Sequence, residues 1–278
     1  MFGGWFQQIV LNGGNTMTTY MVRSTVSLPH LFRWAKNVRI QTGDMGYTIH
    51  AATRALWGEI APQPFVWQEE KGQILGYAAS DGETLREVRN SCSREDAELL
   101  RKAFCLPEFC TKKMPEVFPA GQKFNFQVLC CPIRRQTSPT SGKKCQSDAW
   151  LGAVYNLYRG KGGAEGTGCP TVISFYRQHP DECPSPETVY KEWLTEQFAR
   201  SGGARVLFSN IKGSRTIRVA RRPGSGAPVL QAKRSTPEVL FRGCLQVENQ
   251  DAFSQILARG VGRHRAFGFG MLLLSTIC

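Results

Sequence analysis

Apolar and polar positions alternate along the stretch TTYMVRSTVSL, which begins at residue 18. Val22 and Val26 fall on one face of this stretch and Arg23 falls on the other, and the segment is rich in residues that favour strands. This pattern predicts a first β-strand that ends before Pro29. The aromatic and basic stretch that follows, HLFRWAKNVRIQTG, is predicted to be a loop or a short helix. Its basic residues are Arg33, Lys36 and Arg39.

The apolar pattern then changes to a helical period. In DMGYTIHAATRALWGE the apolar residues recur every three or four positions, and Asp44 stands where an N-cap residue is expected. The apolar stripe consists of Met45, Ile49, Ala52 and Leu56. The opposite face holds Tyr47, His50, Arg54 and Trp57. We therefore expect a polar, aromatic and cationic surface that points away from the core.

Further elements complete a first set of strands and helices. Residues 64–80 are predicted to form a pair of strands around Lys71-Gly72, and SREDAELLRKAF is predicted to form a helix, with Ser93 and Asp96 in capping-box spacing. A proline-rich connection, LPEFCTKKMPEVFPAGQ, then precedes the strand KFNFQVLCCPIRR. The order β-α-β-β-α-β of this first half is that of a ferredoxin-like module.

The second half begins with the strand KFNFQVLCCPIRR and is predicted to have the order β-(insertion)-α-β-β-β-α-β. Residues 138–183 are predicted to be the insertion and to carry at least one helix, DAWLGAVYNLYRG. An amphipathic helix follows, then a basic hairpin (ARVLFSNIKGSRTIRVARR), a strand, a short helix and a closing strand. The sequence thus predicts an α+β protein of two tandem ferredoxin-like (RRM-like) modules with a helical insertion in the second. The predicted units are an N-terminal extension over residues 1–16, a first domain over 17–117 and a second domain over 118–278.

The amino-acid composition indicates a polyanionic binding partner. The chain has 278 residues, of which 41% are hydrophobic, so a packed core is feasible. Lysine and arginine number 35 against 22 aspartate and glutamate, which gives a formal net charge of +13. Such an excess of positive charge favours nucleic acid as the partner.

The cysteines and the apolar segments indicate the cellular compartment. Ten cysteines are present without a CxxC pair, so a zinc site near Cys105 and Cys110 is disfavoured and reduced thiols are expected. No stretch reaches the length of a membrane span, and residues 1–17 lack the basic region and the cleavage site of a signal peptide. We therefore expect a cytoplasmic protein that needs no metal or other cofactor.

Near the C-terminus the chain reads GVGRHRAFGFGMLLL, from Gly260 to Leu274. Glycine lets a ligand approach the main chain closely and tolerates positive φ. Exposed backbone N–H groups beside arginines suit an anion such as phosphate. The spacing matches neither the dinucleotide fingerprint nor the Walker loop. A glycine-rich hairpin or bulge without a ligand is the alternative interpretation.

These residues resemble a known signature. The spacing G-Φ-G-x5-G-Φ-G, between a short helix and a closing strand, is similar to the glycine loop of the repeat-associated (RAMP) superfamily of CRISPR proteins, in particular the endoribonucleases that cut precursor CRISPR RNA. The resemblance covers residues 185–276 well and residues 17–134 weakly. It implies two tandem ferredoxin-like folds, a glycine loop that contacts the stem-loop of the CRISPR RNA repeat, and partners among the other subunits of a CRISPR effector complex.

The resemblance also implies site residues. Tyr47-Thr-Ile-His50 is similar to the Tyr-x-x-His of the type I-E enzymes, whose tyrosine and histidine are catalytic. The N-terminal extension, the insertion and the many arginines look more like the divergent nuclease of type IV systems, in which arginines rather than the histidine dominate the site. The catalytic candidates are therefore Arg23, Arg39, Arg242, His50 and Tyr47, and a site between the two modules is predicted to gather the three arginines.

A second set of residues is predicted to bind the RNA. For the basic hairpin, the alternative to RNA binding is a solvent-exposed strand edge without a ligand. The RNA-binding candidates are Arg33, Lys36, Arg54, Arg215, Arg218, Arg221, Arg222, Gly260, Gly262, Arg263, Arg265, Gly268 and Gly270.

The chemistry that fits these residues is metal-independent cleavage of RNA, in which the 2′-OH attacks the adjacent phosphate. Such a reaction needs a base, an acid and cations that stabilise the charge developing on the phosphate. Histidine suits either proton role near neutral pH, and arginine offers a planar fork to phosphate oxygens. Two alternatives stay open: a non-catalytic RAMP subunit that only binds guide RNA, and an unrelated RNA-binding module of the RRM type.

Overall fold

The computed structural model describes residues 18–40, 43–104, 109–137, 144–164, 168–219 and 234–277. The predicted extension over residues 1–16, Cys105, Arg221 and Arg222 lie outside the described residues. Of Arg218 the backbone is described but the side chain is not.

The first half of the chain forms a four-stranded antiparallel sheet with helices on one face. The strands stand in the order β2-β3-β1-β4, which is the ferredoxin-like arrangement. Its elements are β1 (Tyr20–Thr25), α1 (Leu28–Asn37), α2 (Met45–Trp57), β2 (Phe65–Gln68), β3 (Gln73–Ala78), α3 (Gly82–Ser91), α4 (Ala97–Ala103) and β4 (Cys110–Lys113).

The second half forms another antiparallel sheet of the same type, in the order β10-β5-β9-β8. A separate hairpin of β6 and β7 and the helices α5 and α6 lie between its first strand and its first long helix. The elements are β5 (Lys123–Cys130), β6 (Ile133–Thr137), β7 (Lys144–Asp148), α5 (Ala149–Gly160), α6 (Cys169–Gln178), α7 (Pro186–Ser201), β8 (Ala204–Val219), β9 (Arg234–Val247), α8 (Gln250–Arg259) and β10 (Leu272–Thr276). The predicted α+β fold with two ferredoxin-like modules and a helical insertion is confirmed.

Each sheet buries one face under its own helices. In the first module Val22 and Ile74 pack with residues of α1 and α2, whereas in the second module Phe126 and Phe241 pack with residues of α7 and α8. The inserted helices have a small cluster of their own around Val154.

The two modules meet where the other face of the first sheet contacts β10. Leu75 packs against the core of the second module, and the Tyr77 hydroxyl donates a hydrogen bond of 2.8 Å to the carbonyl oxygen of Leu272. Burial raises the pKa of the Tyr77 phenol, so the hydroxyl stays protonated and keeps donating this bond at physiological pH.

Several predictions about individual elements are wrong. The stretch ARVLFSNIKGSRTIRV is not a hairpin but one long strand, β8, in which the Lys212-Gly213 region lies at a register shift instead of a turn. Helix α3 was not predicted, although Asp81 caps it by accepting a hydrogen bond from the Thr84 N–H at 2.9 Å.

Two predictions about side chains also fail. Trp57 does not lie on a polar face: it is 2% exposed, and its indole N–H donates to the carbonyl oxygen of Leu85. The capping box of Ser93 and Asp96 is not formed, since the carboxylate of Asp96 accepts hydrogen bonds from Trp34 and Arg94 instead. The stretch after β1, predicted as a loop or a short helix, is the helix α1.

Candidate functional site

Helix α2 presents the Tyr-x-x-His motif at its first turns. The Asp44 carboxylate caps the helix and accepts a hydrogen bond of 2.9 Å from the backbone N–H of Tyr47. Ile49 is fully buried beneath the helix, whereas Tyr47 and His50 are partly exposed. The predicted cap and the predicted outward position of the tyrosine and the histidine are confirmed.

The glycine loop uses each of its four glycines in a backbone conformation that favours glycine. Gly260, Gly262, Gly268 and Gly270 have φ angles of 76°, 77°, 86° and 78°. At such angles an L side chain is strained, so these positions tolerate little else. The loop also closes on itself, because the N–H of Val261 donates to the Gly270 carbonyl at 2.8 Å.

The loop lies directly against the first turn of α2. A Cβ atom added to Gly46 would lie 2.0 Å from the carbonyl oxygen of Phe267, so the two backbones are in direct contact. The ring of Phe267 lies near three others, with centroids 5.8 Å from Tyr47, 5.9 Å from His50 and 5.9 Å from His264. We call this arrangement of Gly46, Tyr47, His50 and Phe267 the loop–helix contact. It joins the two predicted motifs, which are far apart in the sequence.

The imidazole of His50 is held neutral. Burial, and to a lesser extent the nearby guanidinium of Arg54, lower the pKa of His50 below its ordinary value of 6.5. Arg54 itself is ion-paired with Glu59. A neutral imidazole at physiological pH is able to accept a proton.

The glycine loop also carries cationic groups. Arg265 donates a hydrogen bond of 2.8 Å to the carbonyl oxygen of Arg259, and burial together with the charge of Arg259 lowers its pKa. Even so, a guanidinium remains protonated at neutral pH. Arg263 is also partly exposed. These cations suit a phosphate bound near the loop.

The structure does not place the catalytic arginine candidates at the loop–helix contact. Arg23 lies on the face of the first sheet that points away from α2, and it is 3.4 Å from the Cys110 sulfur. Arg39 is exposed just after α1, with a φ angle of 58°. Arg242 lies on the outer face of the second sheet, where its Nε donates to Gln127 at 2.7 Å.

The other described basic residues predicted to bind RNA lie on α1 and on the paired strands β8 and β9. Arg33 and Lys36 are exposed on α1. Arg215 is exposed and ion-paired with Glu238 on β9. From Arg215 to Val219, β8 pairs with β9 beyond the part of β9 that β5 covers, so the two strands continue past the sheet as a ribbon.

A groove of about 500 Å³ opens on the outer face of the second sheet beside the end of β2. Cross-strand pairing places Leu273, Gln127, Arg242 and Asn210 in one row across the sheet. A second row consists of Ser275, Asn125, Cys244 and Phe208. Gln68 and Lys212 also line the groove, which we call the inter-module groove.

Reasoning from sequence missed Gly46 and Phe267 at the loop–helix contact and, apart from Arg242, the residues that line the inter-module groove. Gly46 and Phe267 stand next to predicted residues, but only the tertiary contact gives them a role. Phe208 belongs to the segment predicted as a basic hairpin, and the bulge that exposes it has no clear signal in the sequence.

Within the described ranges, no His, Cys, Asp and Glu side chains form a group of three or more that could hold a metal ion. None of the described helices is long and apolar enough to cross a membrane.

The structure defines a class of protein with two tandem ferredoxin-like modules, in which a glycine loop near the C-terminus contacts a helix of the first module. A sequence profile of the CRISPR associated protein family matches residues 19–276, and the chain belongs to that family. No curated protein matches the chain. The resemblance inferred from the glycine loop is thus confirmed, whereas the type IV assignment stays a prediction.

Solved structures share the fold at low sequence identity. A CRISPR endoribonuclease Cse3 bound to 19 nt RNA superposes with a TM-score of 0.53 at 16% identity, covering 94% of this chain and 100% of that one. Thermus thermophilus Cse3, bound to an RNA representing a pre-cleavage complex, has a TM-score of 0.52 at 15% identity over 93% and 99%. A chain of a CRISPR RNA-guided surveillance complex in a pre-nicking state gives 0.51 at 14% identity over 93% and 100%.

Proposed function

We propose that this protein is a metal-independent endoribonuclease that cleaves precursor CRISPR RNA within its repeats. In this proposal it stays bound to the repeat stem-loop as a subunit of a cytoplasmic effector complex. The observation that carries the proposal is the loop–helix contact, which sets a neutral histidine and a tyrosine beside a glycine loop with two arginines. Similar folds occur in an RNA-bound endoribonuclease and in an RNA-guided complex.

The chemistry follows from the groups at this contact. His50, neutral at physiological pH, accepts the proton of the attacking 2′-OH. Arg263 and Arg265 stabilise the charge that develops on the phosphate, and Tyr47 orients the substrate or donates a proton. The 5′-oxygen leaves with a proton, and the upstream fragment ends in a 2′,3′-cyclic phosphate.

A second catalytic design uses the arginines instead. Arg23, Arg39 and Arg242 then orient the RNA and stabilise the phosphate, while His50 is a bystander. In this design the reacting phosphate lies away from α2, because Arg23 and Arg242 belong to sheet faces that α2 does not cover. The extension, the insertion and the number of arginines, which resemble the type IV branch, favour this second design.

Incubation of the purified protein with its own repeat RNA in EDTA tests the function. The expected result is full cleavage, with a 2′,3′-cyclic phosphate or a 3′-phosphate on the upstream fragment. A 3′-hydroxyl on that fragment would show attack by water and contradict both designs. Tight binding of the repeat without any cleavage would instead identify a guide-RNA-binding subunit.

A further inference from the structure

Phe208 is the most exposed of the large apolar side chains in the described ranges, with 57% of its surface open to solvent. In a regular strand it would share the face of Val206, which packs against the core of the second module. Instead, Val206 pairs with Leu245 and Phe208 with Cys244, so Leu207 is an extra residue and forms a bulge. Bulges re-aim side chains, and this one turns a phenyl ring out of the core and onto the inter-module groove.

The ring borders a surface with an uncommon set of polar groups. Four amide side chains line the groove: Gln68, Asn125, Gln127 and Asn210. Lys212 and Arg242 add positive charge, and none of the described residues that line the groove is acidic. An amide offers both a donor and an acceptor, which matches the edge of a nucleobase, and the two cations suit the phosphates between bases.

We propose that the inter-module groove binds an unpaired RNA segment, with one base stacked on Phe208 and base edges contacted by the amides of the two rows. Sheet surfaces that stack bases on aromatic rings and read their edges bind single-stranded RNA in general. An A-form duplex exposes its phosphates and 2′-hydroxyls instead of base faces, so the occupant is unpaired.

The unpaired segment is the single-stranded flank of the repeat stem-loop. This identity of the RNA rests on the proposed function. The loop–helix contact and the groove then hold different parts of one RNA. A nuclease that retains its product gains from such a second contact, because two linked contacts dissociate more slowly than one.

The test uses a fluorescent oligouridine of about ten nucleotides, a length within the usual range for single-strand sites. Its dissociation constant is measured by anisotropy for the full chain and for three variants. We expect Phe208→Ser to weaken binding about five- to hundred-fold, because a stacking platform is lost. Phe208→Tyr keeps the platform and should bind as the unmodified protein does. Leu207→Ser is the matched control: Leu207 is the neighbouring residue, 39% exposed, and does not line the groove.

Folding is controlled by thermal unfolding of each variant, which should be unchanged because Phe208 makes little use of the core. Equal affinities for the unmodified protein and Phe208→Ser would overturn the proposal, as would failure of the unmodified protein to bind oligouridine. Repeat cleavage is scored separately. A protein that binds oligouridine through Phe208 but does not cut the repeat contradicts the proposed function and leaves the groove assignment intact.

Discussion

The loop–helix contact and the inter-module groove differ in how their backbones are used. At the contact, glycines bring two segments so close that no side chain fits between Gly46 and Phe267. In the groove the strands are regular except at two bulges in β8, and side chains define the surface. A larger side chain should therefore disrupt the loop–helix contact, whereas removal of a side chain should weaken binding in the inter-module groove. A glycine motif in the sequence therefore marks a site such as the loop–helix contact, whereas no comparable motif marks a site such as the inter-module groove.

The largest change in cleavage rate is expected from the variants that distinguish the two catalytic designs. If the reaction occurs at the loop–helix contact, His50→Ala lowers the cleavage rate about 10²–10⁴-fold, which is the usual contribution of a general acid or base. Arg23→Ala and Arg242→Ala then retain most of the rate. Single-turnover cleavage of repeat RNA measures all three variants.

The reverse pattern would assign the chemistry to the arginines. Loss of activity in Arg242→Ala or Arg23→Ala, with near-normal cleavage by His50→Ala, would place the reacting phosphate away from α2. Circular dichroism of each variant shows whether the fold is intact.

The next effect tests how closely the loop must sit against α2. In Gly46→Ala the new methyl group would lie 2.0 Å from the Phe267 carbonyl oxygen, so the loop has to move. A displacement of about 1 Å at a catalytic site costs about 10²-fold in rate, and we expect a loss of that order in single-turnover cleavage. Gly43→Ala is the matched control, since nothing lies within 4 Å of its added Cβ. Equal rates for the two variants would show that the contact is not needed for the reaction.

Much of the fold follows from local patterns. The alternation around Val22 and the helical stripe around Ile49 identify β1 and α2, because burial of one face imposes these periods. Helix α3 was missed since its sequence is short and mostly polar, with only Leu85 and Val88 as large apolar residues. The long strand β8 was divided because Gly213 looks like a turn residue, whereas in the structure a bulge accommodates it.

The candidate site was predictable only in part. The glycine loop and the Tyr-x-x-His segment are each local, so the sequence shows both. Their contact depends on how two modules pack, which no local pattern encodes. Trp57 shows the same limit: its place on the helical wheel indicated a polar face, but packing against α3 buries it and satisfies its indole N–H.

A smaller effect concerns the strength of ionic contacts with the RNA. Each phosphate neutralised contributes about 0.7–0.9 to the slope of log K against log salt. Replacing Arg218 and Arg221 with alanine should flatten the slope for a repeat stem-loop by about one to two units, if the β8–β9 ribbon contacts RNA. Anisotropy titrations over a range of salt concentrations measure this.

The control for this titration lies on a different surface. Arg200→Ala removes a cation that is already ion-paired with Glu196 on α7, and it should leave the slope unchanged. An unchanged slope in the double variant as well would mean that the ribbon is a solvated edge.

The smallest effect is a shift in the pH dependence of cleavage. Burial and Arg54 lower the pKa of His50, so the imidazole protonates at a more acidic pH than an ordinary histidine. If His50 is the base, kcat/KM should fall on the acid side with a midpoint below 6.5. Arg54→Gln removes the positive neighbour, which raises the pKa of His50, and the midpoint should move to higher pH. Burial, the larger cause of the shift, remains in the variant, so the midpoint should still lie below 6.5. Arg86→Gln, a charge change on α3 that leaves the surroundings of His50 as they are, should not move the midpoint. A profile that is identical in the unmodified protein and in Arg54→Gln would mean that the titrating group is not His50, and would favour the design in which Arg23, Arg39 and Arg242 carry the chemistry.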